Sequence, residues 1–204
     1  YKSLAAGGRI SFSGCGATGR LSILLDAANK KFCRISAAAL PSRAEFFQKL
    51  ASQTNAIMTG GDFALIRSVE SFEDFISFGY RQYQEAGIGP NDALCAISEG
   101  GETSSVIGTI HAALDAGIPA FFLFNNPSDL MASRVERSRK VIEDPRVTVV
   151  NLTTGPMAIA GSTRMQATTI EMLVAGFAFE TPLSKLTRSR RPSLISARNT
   201  IKKT

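Results

Sequence analysis

Ser98-Glu99-Gly100-Gly101-Glu102-Thr103, followed by Ser104-Ser105, is the stretch on which the reading of the fold turns. Ahead of it, Ala93-Leu94-Cys95-Ala96-Ile97 is an apolar run short enough for a buried strand. Behind it, Val106-Ile107-Gly108-Thr109-Ile110-His111-Ala112-Ala113-Leu114 carries apolar residues at helical spacing. The pattern predicts a strand, a tight turn and a helix. Two glycines let the backbone close, and Thr103 and Ser104 fall where an N-cap or first-turn hydroxyl belongs. The free N–H groups of such a helix start suit an anion such as a phosphate. No nucleophile in the turn has a base beside it, so the local chemistry is that of binding.

The same build occurs near the N-terminus. Gly8 to Ser13 reads as a strand, Gly14-Cys15-Gly16-Ala17-Thr18-Gly19-Arg20 as a turn, and Leu21 to Leu25 as a helix start. The turn spells G-x-G-x-x-G, which formally satisfies a dinucleotide fingerprint. That site also wants an acid about twenty residues on for the ribose. None lies between Asn29 and Arg43, although Arg34 is available to a 2′-phosphate, so a nucleotide-binding α/β module stands as a lesser alternative. Cys15 is either a small packed residue or a thiol whose pKa falls near a helix N-terminus.

Further along, Phe32-Cys33-Arg34-Ile35 reads as a short strand, and a loop from Ala37 passes into a helix begun at Pro41-Ser42. Ala56-Ile57-Met58 is a strand ending in Thr59-Gly60-Gly61-Asp62, with Asp62 as N-cap for Phe63 to Ile66. Val69 to Asp74 opens a helix over Phe75–Ala86, with Glu70 structural. Ala120 to Phe124 and Val147 to Leu152 are strands, and Arg134 to Lys140 is a solvated helical face. Asn125-Asn126-Pro127-Ser128 follows a strand end, where ligands of parallel sheets collect. His111, the only histidine, sits in mid-helix without a local partner and reads as a surface or satisfied interior residue. Gly155 to Gln166 opens the last helix. Alternating strands and helices with glycine turns at strand ends predict an α/β fold, an open, doubly wound parallel sheet.

At 204 residues the chain fits one domain able to bury its own core. Its net charge of +6 is unevenly placed. Seven basic and no acidic residues lie between Thr181 and the end, which leaves residues 1–180 at −1. The expected division is a domain over 1–180 and a basic segment over 181–204, read as a solvated tail, the start of a following segment, or an arm for an acidic partner. No aromatic residues interleave those charges for stacking on bases, so the globular part is not expected to bind nucleic acid. The chain begins at Tyr1 rather than Met, directly before a strand-like run, so a fragment or a missing first helix is expected. Three cysteines without a CxxC pair argue for a reducing compartment, and no apolar run or leader points to a membrane. Cytoplasmic placement is expected, with no metal or cofactor.

Several of these segments resemble one family. Ser98 to Thr103 resembles the Ser-Gln-Ser-Gly-Glu-Thr phosphate turn of SIS (sugar isomerase) domains, with Glu99 for Gln and Gly100 for Ser. Cys15-Gly16-Ala17-Thr18 resembles the family's Cys-Gly-Thr-Ser turn. Gly60-Gly61 with Val69-Glu70-Ser71-Phe72-Glu73-Asp74 resembles segments of N-acetylmuramic acid 6-phosphate etherase and the glucokinase regulatory protein. Gly155-Pro156-Met157-Ala158-Ile159-Ala160-Gly161-Ser162-Thr163-Arg164-Met165-Gln166 resembles their shared signature, with Met157 for Glu and Gln166 for Lys; Met172 replaces a later Lys. The resemblance covers about residues 8 to 180.

It implies a flavodoxin-like three-layer sandwich, a homodimer, and a phosphorylated sugar or amino sugar as ligand. Thr18, Ser98, Gly101, Thr103 and Ser104 would hold phosphate, with Ser162 and Arg164 lining the site, although Arg164 also reads as an internal ion-pair member. Glu73 aligns with an acid-base glutamate of the etherase; by its position alone it also reads as a carboxylate favoured by the helix dipole. The etherase's other glutamate corresponds to Asn29, which cannot exchange a proton near neutral pH. The leading expectation is therefore a regulatory or sensing domain that binds its ligand. The alternative is an active lyase, a carbon-oxygen lyase releasing lactate, with Glu99 or Glu102 as substitute acid. Glu99 poses a second question. A carboxylate about 4 Å from a phosphate is repelled by roughly 4 kcal/mol per unit charge at an effective dielectric of about 20, whereas a helix N-terminus returns only about 0.3–2 kcal/mol. Glu99 must turn away, be paired, or change the ligand.

Overall fold

A computed structural model describes residues 1–67, 71–159, 162 and 164–189. Its centre is a five-stranded, wholly parallel sheet: β1 (Ile10–Gly14), β2 (Thr54–Met58), β3 (Ala93–Ile97), β4 (Ala120–Phe124) and β5 (Val147–Asn151). The strand order is β2-β1-β3-β4-β5. β1 thus pairs with β2 on one side, Gly14 opposite Met58, and with β3 on the other, Ser13 opposite Ala96. The chain reverses direction across the sheet between β1 and β3, and ligands of open α/β sheets bind outside the strand ends at such a point. Both turns singled out in the sequence emerge there.

Helices cover both faces. On one face α5 (Ile76–Glu85), α6 (Ser104–Asp115) and α8 (Glu136–Ile142) close over Leu94, Ala96, Phe122 and Phe124. α6 is buried almost all round, which explains its nearly continuous apolar sequence. Two glycines let α5 and α6 touch backbone to backbone. A Cβ on Gly79 would fall on the Ser105 carbonyl, and one on Gly108 on the Ile76 carbonyl. On the other face α2 (Gly16–Ala39), α3 (Ala44–Ala51) and α9 (Gln166–Ser189) pack on Phe12, Ile97 and Leu123. Three one- or two-turn helices, α1 (Lys2–Ala5), α4 (Phe63–Ile66) and α7 (Ser128–Arg134), and two 3-10 turns, Pro41–Arg43 and Phe72–Asp74, complete the described elements.

Several boundaries differ from the sequence reading. Phe32–Ile35 is not a strand but lies within α2, because the stripe Thr18, Leu21, Leu25, Asn29 and Cys33 stays buried at helical spacing through it. α2 also begins at Gly16, so only Cys15 separates it from β1. Phe72–Asp74 is a separate 3-10 turn, because Phe75 adopts an extended conformation before α5 begins. Asp62 occupies the N-cap of α4 without a side-chain cap bond. Residues 155–159 are not helical, and α9 starts only at Gln166. α9 continues past residue 180 with Leu183 and Leu186 buried against α2 and α3, so the expected boundary falls inside a helix. Residues 190–204, Val69, Glu70, Gly161 and Thr163 lie outside the described residues.

Candidate functional site

The turn after β3 is wired so that its carbonyls face away from its amides. Ser98 is buried, and its hydroxyl bonds Thr103 Oγ1 at 3.0 Å and accepts the Gly101 N–H at 3.2 Å. Gly101 has φ +77, and a Cβ there would crowd the Phe124 ring, so glycine is required on both counts. Neighbouring elements take up the carbonyls. Asn126 Nδ2 donates to Gly100 O at 3.0 Å, Ser138 Oγ to Gly101 O at 2.7 Å, and Arg137 Nε to Glu102 O at 2.6 Å. Thr103 is the N-cap of α6 in extended conformation, and its hydroxyl makes no cap bond. The first amides of α6, from Ser104 onward, have no acceptor within the helix and form a concave, positively polarised start. Beneath them Ser105 Oγ and Thr59 Oγ1 bond at 2.8 Å, tying α6 to the loop after β2.

The first turn is tighter. Gly14 admits no side chain, because a Cβ would strike the Thr18 carbonyl. Thr18, 1% exposed, accepts the Cys15 N–H at 3.0 Å and donates back to Cys15 O at 2.8 Å. Its hydroxyl is thus committed within the turn, and the amides of Gly16 and Ala17 are what the helix start offers an anion. Cys15 Sγ donates to Glu73 Oε2 at 3.0 Å, which brings the 3-10 turn over the first turn. Ser71, just before it, has φ +77, a costly conformation for a non-glycine residue that fixes the direction of Glu73. Burial pushes the Cys15 thiol up to about 12, helped by Glu73, so the reading of a packed thiol fits and that of a reactive one does not.

The segment between β5 and α9 supplies the third side. Gln166 clamps it, donating to Pro156 O at 2.8 Å and accepting the Ala158 N–H at 3.2 Å. Ser162 is half-buried, its N–H donating to Ile159 O at 3.1 Å. Met165 has φ +72. Arg164 lies exposed at the rim of a cavity of about 640 Å³ that Arg20, Thr168 and Met172 also line. Its positive charge pulls the Glu99 carboxyl downward against the larger upward push of burial.

The structure therefore brings Thr18, Glu73, Ser98, Gly101, Thr103 and Ser104 to one end of the sheet. Asn29 is elsewhere. It is buried in the middle of α2 and donates to Leu50 O at 3.2 Å and Thr54 Oγ1 at 3.1 Å. Glu102 points outward and pairs with Arg137 at 3.7 Å. His111 lies half-buried in α6, and burial lowers its pKa, so at neutral pH it is an uncharged wall residue. The sequence reading singled out Asn125 at a strand end but missed Thr59, Arg20, Thr168 and Glu171. Of these only Glu171 left a signal, a single acid in the run Ile170 to Val174.

A parallel sheet of this order, with a glycine turn and helix start on each side of its reversal point, has the layout of an SIS-type α/β domain. The model of the glucokinase regulatory protein N-terminal SIS domain matches residues 2–114, more than half of the chain, and the protein belongs to that family. It is 36% identical over 171 residues to N-acetylmuramic acid 6-phosphate etherase of Synechococcus elongatus. The corresponding protein 1 of Bacillus licheniformis is 31% identical over 172 residues. Each alignment covers 84% of this chain and 48% of the relative, so the chain spans about half the length of the curated relatives it matches. Among solved structures, phosphoheptose isomerase of Neisseria gonorrhoeae shares the fold, with TM-score 0.51 and 14% identity over 87% of this chain and 76% of that one. Among the described residues no helix is long and apolar enough to cross a membrane.

Proposed function

We propose that this chain is a sugar-phosphate-binding domain that acts by holding its ligand. The phosphate rests on the turn Ser98–Ser104 and on the amides that open α2. Gly101, Thr103 and Ser104 shape that cradle, and Thr18 holds the first turn in form. The sugar extends beneath Glu73 toward Ser162 and Arg164. The observation that carries this reading is the division of polarity in the β3 turn: its carbonyls are taken by Asn126, Ser138 and Arg137, while the first amides of α6 have no acceptor within the helix. The names of the relatives specify an N-acetylated, phosphorylated amino sugar as the ligand to try first. Calorimetric titration with N-acetylmuramic acid 6-phosphate, with lactate assayed in the same samples, tests the reading. Binding without lactate supports it, and no heat at any concentration contradicts it.

A second reading, the lyase, draws support from one observation. A strained backbone at Ser71 holds the Glu73 carboxylate over the first turn, where an acid-base group would stand. Lactate release that Glu73→Gln abolishes while ligand binding persists is its expected result; turnover retained by that variant removes it.

We also infer a homodimer across the α2–α9 face. Leu24, Phe32 and Ile35 of α2, with Leu173 and the 69% exposed Phe177 of α9, present an apolar surface of a kind that monomers rarely expose. The thiols Cys15, Cys33 and Cys95 are all free, which supports placement in a reducing compartment such as the cytoplasm.

A further inference from the structure

Four buried side-chain oxygens without a hydrogen-bond partner among the described residues belong to one cluster: Glu99 Oε1, Asn125 Oδ1, Thr168 Oγ1 and Glu171 Oε2. They come from the β3 turn, the end of β4 and α9, and they are tied together. The Asn125 N–H donates to Glu99 O at 3.0 Å, and Asn125 Nδ2 donates to Glu171 Oε1 at 2.6 Å. That second bond fixes the amide, so Asn125 Oδ1 faces away from Glu171 and still needs a donor. Glu171 is fully buried and Asn125 is 4% exposed. Three of the four idle atoms are acceptors only when both carboxyls are ionised, an arrangement that buried groups avoid. A proton on one carboxyl supplies the missing donor.

The surrounding charges agree with this. Burial pushes Glu99 up to about 7, against the opposing pull of its own backbone amide and the charge of Arg164. Burial, then the charge of Glu99, pushes Glu171 up to about 8, against the amide of Asn125. From the β1 side the group facing Glu99 is Cys15, a neutral thiol bonded to Glu73.

We propose that Glu99 and Glu171 are a proton-holding pair that determines what the Ser98–Ser104 turn binds. The turn takes a phosphomonoester when the pair carries a proton, and filling the site near neutral pH draws a proton from solution onto a carboxylate oxygen of the pair. This inference rests on the sugar-phosphate reading above. It also answers the repulsion that Glu99 poses: the side chain turns toward α9, and its charge is removed. Protonation of the pair is lost as pH rises through the folded-state values, so affinity falls toward tenfold per pH unit above them. A phosphomonoester completes its own ionisation near pH 6, so the dependence above about pH 7 belongs to the protein.

The test uses N-acetylmuramic acid 6-phosphate, with inorganic phosphate as a second probe, titrated calorimetrically at about pH 7.5 in two buffers of different ionisation enthalpy and again across about pH 6.5 to 8.5. The expected result is proton uptake and affinity that drops through the upper half of that range. Glu99→Gln should bind at least as tightly at the upper end, with a flat profile and less uptake. Binding without uptake and with a flat profile in the wild type overturns the inference while the sugar-phosphate reading stands. A ligand-free arm separates the remaining cases. The infrared spectrum near pH 7 should show a protonated carboxyl band that disappears in Glu99→Gln/Glu171→Gln, and its absence overturns the proton-holding pair whatever binds. The band without binding of either probe at any pH fails the binding reading and the coupling with it.

Discussion

Asn29 stands where the family resemblance puts a catalytic glutamate, and its surroundings explain why it cannot serve as one. Fourteen residues of helix separate it from Cys15, about 21 Å at the ordinary rise of 1.5 Å per residue. Both of its amide donors are spent, on Leu50 O and Thr54 Oγ1. Asn29→Glu would therefore not restore chemistry. It would set a carboxylate against a carbonyl in the core and should cost about 3–5 kcal/mol, read from the urea midpoint. A midpoint equal to that of the wild type would contradict this placement. At the same scale, residues whose role depends on local spacing were legible: Ser98, Gly101 and Thr103 could be picked out because a strand-turn-helix needs them where they are. Glu171 could not. Asn125 and Glu99 lie 46 and 72 positions before it in sequence, and only the folded sheet brings them together.

Elements were legible where one period dominated. β3, α6 and β4 are short or evenly apolar, and their boundaries follow from their sequence alone. Phe32–Ile35 misled because an aromatic and a β-branched residue so close together favour a strand locally, while the buried stripe that makes them helical extends beyond the window. Residues 155–159 misled for the opposite reason: the Gln166 side chain bonds Pro156 O and Ala158 N–H and holds them outside the helix. Glycine choice matters most between α5 and α6. Gly108 receives the Ile76 carbonyl where a methyl group would stand, so Gly108→Ala must push the helices apart. Loss of about 1–3 kcal/mol or more is expected, seen as a lower unfolding temperature. An unchanged temperature would show that the two helices do not approach this closely.

For the molecule as a whole, the alternation of strands and helices was enough to give the layers, and the resemblance narrowed the class, because a parallel sheet leaves few ways to cover both faces. Where the polar groups point was not legible, since the fate of each turn carbonyl depends on α8 and the loop after β4. The apolar face of α2 and α9 was likewise invisible until α2 proved to be one long helix. Phe177→Glu places a charge at the centre of that face and should convert a dimer to a monomer, read as a halved mass by light scattering; an unchanged dimer mass would move the interface elsewhere. The central claim is that the Ser98–Ser104 turn holds a phosphate. Its most direct measurement is calorimetric titration of N-acetylmuramic acid 6-phosphate into the wild type and Ser98→Ala. That variant removes the bonds to Thr103 Oγ1 and the Gly101 N–H at a stability cost of about 1 kcal/mol. The account predicts wild-type binding that weakens at least about tenfold in the folded variant, the equivalent of about 1.4 kcal/mol. Equal affinity in the two proteins would contradict it.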